Sequence, residues 1–195
     1  MFDTLKRYGF FTYGKVIPGL MLYGTPAPYP VLNERAIRAG AGLMFLGGTF
    51  AFFHAFYLDD FLYLQIFVVI FFFDFLMKVV VGTRFSPISQ LAHLLVRGQA
   101  PEYVGAVQKR FAWSIGLVLS GLMVLLLFAF DVRGPLNLAI CSLCLTFMFL
   151  ETALGICVGC KLYNGLLATG LLPKPEYKPV CPGNVCAIEH EGASR

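Results

Sequence analysis

The sequence predicts an all-α integral membrane protein, a bundle of four transmembrane helices with an interfacial amphipathic helix and irregular cytoplasmic segments at both ends. Hydrophobic residues make up 58% of the 195 residues and charged residues only 13%, whereas a soluble domain is about one-quarter charged. Four apolar segments each approach the roughly 20 residues that a membrane-spanning helix needs. Basic residues flank these segments and form no separate basic domain, so the net charge of +4 does not indicate nucleic-acid binding.

The chain divides into three parts by composition. Residues 1–35 contain four prolines and several aromatic residues but no span, and they are predicted to form an irregular N-terminal cytoplasmic cap. Residues 36–172 contain the four-helix transmembrane domain. Residues 173–195 form a polar, cysteine-containing cytoplasmic tail.

The predicted spans are residues 38–58, 61–81, 111–130 and 136–158. Each is expected to be a helix, because a lipid-exposed span has to satisfy its backbone hydrogen bonds internally. The links "LDDF" and "DVRGPL" are short, so the spans pair one with two and three with four. Pro135 suits the first turn of the fourth helix.

Basic residues are distributed unequally between the two sides of the predicted bundle. Of the 15 Lys and Arg residues, only Arg133 lies on the side of the two short links. Cytoplasmic segments of membrane proteins are enriched in Lys and Arg. We therefore expect both termini and the long link, residues 82–110, to be cytoplasmic.

The segment "SPISQLAHLLVRG" in the long link is predicted to form a short amphipathic helix. Ser86 or Pro87 can begin it and Gly98 can end it. The residues on its apolar face are Ile88, Leu91, Leu94 and Leu95. We expect this helix to lie in the membrane interface.

The six cysteines form three pairs along the chain. Cys141 and Cys144 fall towards the outer end of the fourth span and are expected to pack as small apolar residues. Cys157 and Cys160 fall at its cytoplasmic end, beside Lys161, where a thiolate can reach water. A helix C-terminus opposes negative charge on such a pair, and Lys161 offsets part of that effect. These three residues are the predicted catalytic group.

The tail contains the second notable pair, in "CPGNVC". Pro182 and Gly183 predict a tight turn that brings the flanking cysteines together. Combined with the membrane pair, the pattern resembles a four-thiolate zinc or iron–sulfur site, although the C-x4-C spacing of the tail is not the usual one. The predicted ligands are Cys157, Cys160, Cys181 and Cys186. Thiol exchange between the two pairs is the alternative.

Charged residues inside the predicted spans mark functional positions, because they are costly in a bilayer. Asp74 and Lys78 are spaced i, i+4 and can form an ion pair, either structural or functional. For Glu151 the expected partners are His54, Arg84 or a serine or threonine of a neighbouring helix. For His54 itself, hydrogen-bonded packing is the simpler interpretation.

Four stretches of the chain resemble the bacterial membrane family called domain of unknown function 4395, over roughly residues 33–172. They are "NERAIRAGAGL", "FDFLMKVVVGTRFSPISQLAHLL", "PEYVGAVQKRFAWSIGLVLS" and "ETALGICVGCKLY". The resemblance implies a four-helix protein of the bacterial inner membrane, often accompanied by a thioredoxin-like or rhodanese-like protein. The positions that match the family pattern are Asn33, Arg35, Asp74, Arg84, Ser86, Pro87, Arg110, Glu151, Cys157 and Cys160.

Three functions remain open on this basis. The first is a membrane thiol-redox or sulfur-relay protein that uses the Cys157–Cys160 pair with a cytoplasmic partner. The second is a non-catalytic subunit of a larger membrane complex, for which the N-terminal cap would supply a docking segment. The third is transport of a thiophilic metal or a sulfur species. Membrane lipid is the expected environment in every case.

Overall fold

The structure, a computed structural model, describes residues 14–22 and 24–172. It contains four helices that are long and apolar enough to cross a membrane: α1 (Glu34–Tyr57), α2 (Leu62–Val81), α4 (Ala106–Ala129) and α5 (Pro135–Leu154). Two shorter helices, α3 (Pro87–Leu95) and α6 (Val158–Ala168), lie outside these spans. The predicted all-α membrane bundle is therefore confirmed.

The bundle is held together by apolar packing. Helix α5 packs mainly on α1, and α4 packs mainly on α2 and α6. The prediction that the spans joined by short links form the pairs is therefore wrong, because the closest packing is between other helices. One core cluster surrounds Leu64 and Leu127, and a second surrounds Phe71 and Trp113. Large apolar side chains such as that of Val118 remain exposed on the outside, as expected for helices that face lipid.

The described part of the N-terminal cap contains short strands that the sequence did not predict. Strand β1 (Met21–Leu22) pairs antiparallel with β2 (Thr25–Pro26). Strand β3 (Val31–Asn33) pairs antiparallel with β4 (Tyr103–Gly105), which directly precedes α4. The partner strand is distant in sequence, so no local pattern could indicate it. Because β3 runs into α1 and β4 into α4, both helices begin at the same end of the bundle.

The predicted amphipathic helix is present as α3. The Ser86 hydroxyl caps it by accepting a hydrogen bond from the backbone N–H of Ser89 at 3.0 Å, and Pro87 occupies the first turn. Ala92 is fully buried against α1. The outward-facing apolar residues are Leu91, Leu94 and Leu95. This face is the one that an interfacial helix presents to a membrane.

Candidate functional site

The chain breaks between α5 and α6, and this break creates the site. Gly155 adopts a left-handed conformation with φ 67° and ends α5 after Leu154. The Nη2 atom of Arg38 donates a hydrogen bond to the carbonyl oxygen of Thr152 at 3.0 Å. This carbonyl lies in the last turn of α5, where it has no partner within the helix. The predicted fourth span to residue 158 is therefore too long by four residues. Glycine in an apolar run gives no clear signal for such a break, because membrane helices tolerate it.

Cys157 is the N-cap residue of α6, and its partner Cys160 lies in the first turn. The Sγ atom of Cys157 accepts the backbone N–H of Cys160 at 3.4 Å. The prediction that this pair lies at a helix C-terminus is wrong, because α5 has already ended. A helix N-terminus favours negative charge, and reactive Cys-x-x-Cys pairs use this position to stabilise a thiolate.

The two sulfur atoms lie close enough to react with each other. The Sγ atom of Cys160 donates to the Sγ atom of Cys157 across 2.7 Å, and neither residue is in a disulfide. A disulfide bond is about 2.05 Å long, so oxidation of the pair needs only a small movement.

The hydrogen bond also distinguishes the two thiols. Donation to Cys157, together with burial, raises the pKa of Cys160 well above its ordinary value of 9.0. Cys160 therefore keeps its proton, and the sulfur of Cys157 is the hydrogen-bond acceptor.

Burial of the pair differs from the sequence prediction. Cys157 is 5% exposed and Cys160 is fully buried, rather than open to water. The cause is close contact between α6 and α4 at Gly159. A Cβ atom at Gly159 would lie 2.4 Å from the Cβ atom of Ala112, so only glycine permits this approach.

A buried ion cluster lies beside the thiols. Lys109 of α4 is fully buried, and its Nζ atom lies 2.8 Å from Oε2 of Glu34 and 2.6 Å from Oε1 of Glu151. The same ammonium interacts electrostatically with Cys157 and Cys160. Three helices thus converge on one cation next to the sulfur pair.

Sequence reasoning missed Lys109 and Glu34. It assigned the nearby positive charge to Lys161, whose side chain is exposed on α6. The usable signal is the spacing of Lys109 and Trp113, which places the lysine on the same inward face of α4 as the tryptophan. For Glu34 there was no local signal, because its partner lies 75 residues away.

The partners predicted for Glu151 are wrong. The side chain of Arg84 is exposed. His54 lies near the opposite end of α1, where its Nδ1 atom is 3.1 Å from the carbonyl oxygen of Phe50 and its ring contacts those of Phe50 and Tyr63. The packing interpretation of His54 therefore agrees with its position.

A second buried cluster contains the predicted ion pair. Nζ of Lys78 lies 2.6 Å from Oδ2 of Asp74, and the Ser86 hydroxyl donates to the other carboxylate oxygen. The ammonium also lies 5.4 Å and 5.9 Å from the ring centres of Phe75 and Trp113, close enough for cation–π attraction. This cluster ties α2 to the cap of α3.

An apolar cavity of about 230 Å³ lies between the two clusters. Its walls come mainly from apolar residues of α1, α2, α4 and α5. Cys157, Glu151 and Lys78 also line it. Cys157 of the cysteine pair therefore borders a space inside the bundle.

The predicted four-thiolate metal site draws half of its ligands from the C-terminal tail. Cys181 and Cys186 lie outside the described residues. Within the described part, no group of three or more His, Cys, Asp or Glu side chains is placed to hold a metal. Cys141 is buried and Cys144 is partly buried in α5, in agreement with a packing role.

Comparisons with known proteins identify a family. No curated protein and no solved structure matches the chain. A profile described as "Domain of unknown function (DUF4395)" matches residues 32–167. This range includes all four spans, both buried clusters and the Cys157–Cys160 pair. The chain therefore belongs to the DUF4395 family, as its resemblance in sequence predicted.

Proposed function

We propose that this protein is a membrane thiol-redox or sulfur-relay protein of the bacterial inner membrane, with Cys157 and Cys160 as its reacting pair. One observation carries the proposal: the two sulfur atoms lie 2.7 Å apart at the N-terminus of α6. Lys109 adds a buried positive charge nearby. Together these features favour a reactive pair over inert packing cysteines.

The reaction proposed for the pair is exchange with a cytoplasmic thioredoxin-like or rhodanese-like partner. The sulfur of Cys157 attacks one sulfur of a partner disulfide, which forms a mixed disulfide and releases one partner thiol. Cys160 then loses its proton and attacks Cys157 in the mixed disulfide. The Cys157–Cys160 disulfide forms, the second partner thiol leaves, and two electrons pass to the partner. With a persulfide donor, Cys157 attacks the outer sulfur instead. A persulfide forms on Cys157, and the donor leaves as its thiol.

The orientation in the membrane is part of the proposal. The cap strands, α3 and the α5–α6 break all lie at one end of the bundle, since β3 pairs with β4 and the spans alternate in direction. Nearly all basic residues belong to segments at this end. The positive-inside rule places it, with both termini, in the cytoplasm.

The proposal is tested by following the oxidation state of the pair in purified protein. After equilibration in thiol–disulfide buffers of increasing potential, mass spectrometry should show a Cys157–Cys160 disulfide that forms and breaks reversibly. Cys157→Ser should abolish exchange with a disulfide-bonded partner protein. Cys160→Ser should instead trap a mixed disulfide through Cys157.

The matched control is Cys141→Ala with Cys144→Ala, which removes another C-x-x-C pair of the same protein. These variants should keep full exchange activity. If the Cys157–Cys160 disulfide never forms and both serine variants support normal growth and assembly, the protein is a structural subunit. Metal that co-purifies in stoichiometric amount and protects Cys157 from labelling would instead support metal transport.

A further inference from the structure

The cavity beside Cys157 extends the proposed function, because it can hold a second reactant next to the buried sulfur. Cys157 is only 5% exposed, yet it lines the cavity. Leu162 lines the same cavity and is half exposed. The cavity is therefore reached from the surface of the bundle, and a ligand inside it meets the nucleophilic sulfur.

The walls of the cavity define the chemistry of its ligand. Met44, Phe71, Phe75, Trp113 and Met148 provide an apolar and largely aromatic surface. A volume of about 230 Å³ exceeds that of an engineered apolar cavity of about 150 Å³ that binds benzene. The space therefore suits a substituted six-membered ring.

Polar groups in the same walls suit a ring that carries oxygen atoms. Lys78 keeps further N–H donors beyond the one directed at Asp74, and Glu151 provides a carboxylate. Both groups already pair within the protein, Lys78 with Asp74 and Glu151 with Lys109, and a hydrocarbon chain would make no hydrogen bond to either. A quinone carbonyl accepts a hydrogen bond from an ammonium group, and a quinol hydroxyl donates to a carboxylate.

We propose that the cavity binds the ring of a lipid-soluble quinone, which accepts two electrons from the Cys157–Cys160 dithiol. The proposal rests on the redox function proposed above and names its membrane-phase oxidant. Both S–H bonds break and one S–S bond forms. The two electrons and two protons pass to the quinone, whose carbonyl oxygens become the hydroxyl groups of the quinol. The reaction balances with no further reactant.

Binding is measured through Trp113, which is the only tryptophan of the chain and lines the cavity. A short-chain quinone, titrated into the full-length protein in lipid nanodiscs, should quench Trp113 fluorescence with a saturable curve. Cys157→Ser should retain this quenching, because binding does not need the thiol. The same titration therefore reports binding independently of redox activity.

A matched pair of substitutions locates the binding. Ala41 lines the cavity, whereas Ala139 is exposed on α5 outside it. Ala41→Phe fills the space and should weaken quinone binding by about tenfold or more. Ala139→Phe should leave it unchanged. Equal effects of the two substitutions would overturn the proposal, as would quenching that rises linearly with quinone and never saturates.

Electron transfer is measured in the same nanodiscs under anaerobic conditions. Reduced wild-type protein should convert one equivalent of quinone to quinol for each Cys157–Cys160 disulfide formed, and Cys157→Ser should convert none. If quinone fails to bind while exchange with a protein disulfide persists, this proposal fails and the proposed function stands. If quinone binds but neither oxidant forms the disulfide, both fail. Saturable quenching by bromine-labelled lipid with no effect of quinone would assign the cavity to an acyl chain.

Discussion

The Nζ atom of Lys109 lies 2.6 Å from Oε1 of Glu151, and this contact joins α4 to α5 one turn before α5 ends. Glu34 completes the contact from α1. The cysteine pair follows directly after the break that ends α5. The position of the sulfur atoms relative to the bundle therefore depends on a buried cation that belongs to neither the pair nor its helix.

Loss of that cation should strongly destabilise the protein. Lys109→Met leaves the carboxylates of Glu34 and Glu151 buried without their partner, and removal of one member of a buried ion cluster costs about 3–5 kcal/mol. Thermal unfolding in detergent should show a large decrease in midpoint. Lys161→Met is the control, because that side chain is exposed, and it should unfold like the wild type. An equal response of the two variants would contradict the role given to Lys109.

Asp74 and Lys78 should be energetically linked. Asp74→Asn removes a charge from the buried pair and weakens the bond that Ser86 donates. It should therefore destabilise the wild type more than it destabilises the Lys78→Met variant. A double-mutant cycle measures this difference, which is about 0.5–3 kcal/mol for residues in contact. Strictly additive effects would show that the pair contributes no interaction energy.

Two glycines of α6 should respond oppositely to the same substitution. At Gly159 an added Cβ would lie 2.6 Å from the backbone Cα of Ala112, so Gly159→Ala must move α6 away from α4. At Gly165 no atom lies within 4 Å of an added Cβ, and Gly165→Ala should stabilise the helix by about 0.5–1 kcal/mol.

Thiol labelling and thermal unfolding distinguish these two cases. Gly159→Ala should expose Cys160 and accelerate its labelling, since it is fully buried in the native contact. Gly165→Ala should leave the labelling rate unchanged. Slow labelling of Cys160 in the Gly159→Ala variant would mean that some other contact shields the thiol.

The proton held by Cys160 should influence both thiol labelling and the stability of the protein at alkaline pH. The pKa of Cys160 is raised by its hydrogen bond to Cys157 and by burial, so labelling of reduced protein near neutral pH should modify Cys157 first. The unfolded chain ionises Cys160 near its ordinary pKa of 9.0, but the folded protein does not. The contribution of the protonated Cys160 thiol to the free energy of unfolding is therefore fully present below that pH, and it decreases as the pH rises further.

Measurement of unfolding between neutral and alkaline pH tests the sign of this effect. The wild type should lose stability above about pH 9, and Cys160→Ser should lose less, because serine does not ionise there. A steeper loss in the serine variant would contradict the assigned proton.

The orientation predicts that both termini are cytoplasmic. A reporter domain that is active only in the cytoplasm should be active when it is fused before residue 1 and also when it is fused after residue 195. Arg133, in the short link on the opposite side, should be labelled from outside when replaced by cysteine in a variant that lacks the other cysteines. A reporter at residue 195 that is active only outside would reverse the assignment of the thiol pair to the cytoplasmic end.

Features with a local cause could be predicted from the sequence. Hydropathy indicated four spans, and the i, i+4 spacing indicated the ion pair of Asp74 with Lys78. The cap and first turn of α3 followed from Ser86 and Pro87. In each case the interacting groups lie within a few residues of each other.

Features with a distant cause could not be predicted. The partners of Lys109 lie 75 and 42 residues away, and only the folded bundle brings them together. The break at Gly155 depends partly on Arg38, a residue of a different helix. Because of that break, Cys157 is the N-cap of α6 and does not belong to the last turn of a longer helix. The helix dipole therefore favours negative charge on the cysteine pair, whereas the sequence analysis expected the dipole to oppose it.

The pairing of β3 with β4 has a consequence for biosynthesis. Val31 and Gly105 pair although they are more than seventy positions apart, so the ribosome completes α1 and α2 long before β4 exists. The first two helices must therefore enter the membrane while the backbone groups of Val31–Asn33 remain without their final partner. Emergence of Tyr103–Gly105 then closes the ladder and fixes the start of α4 beside that of α1.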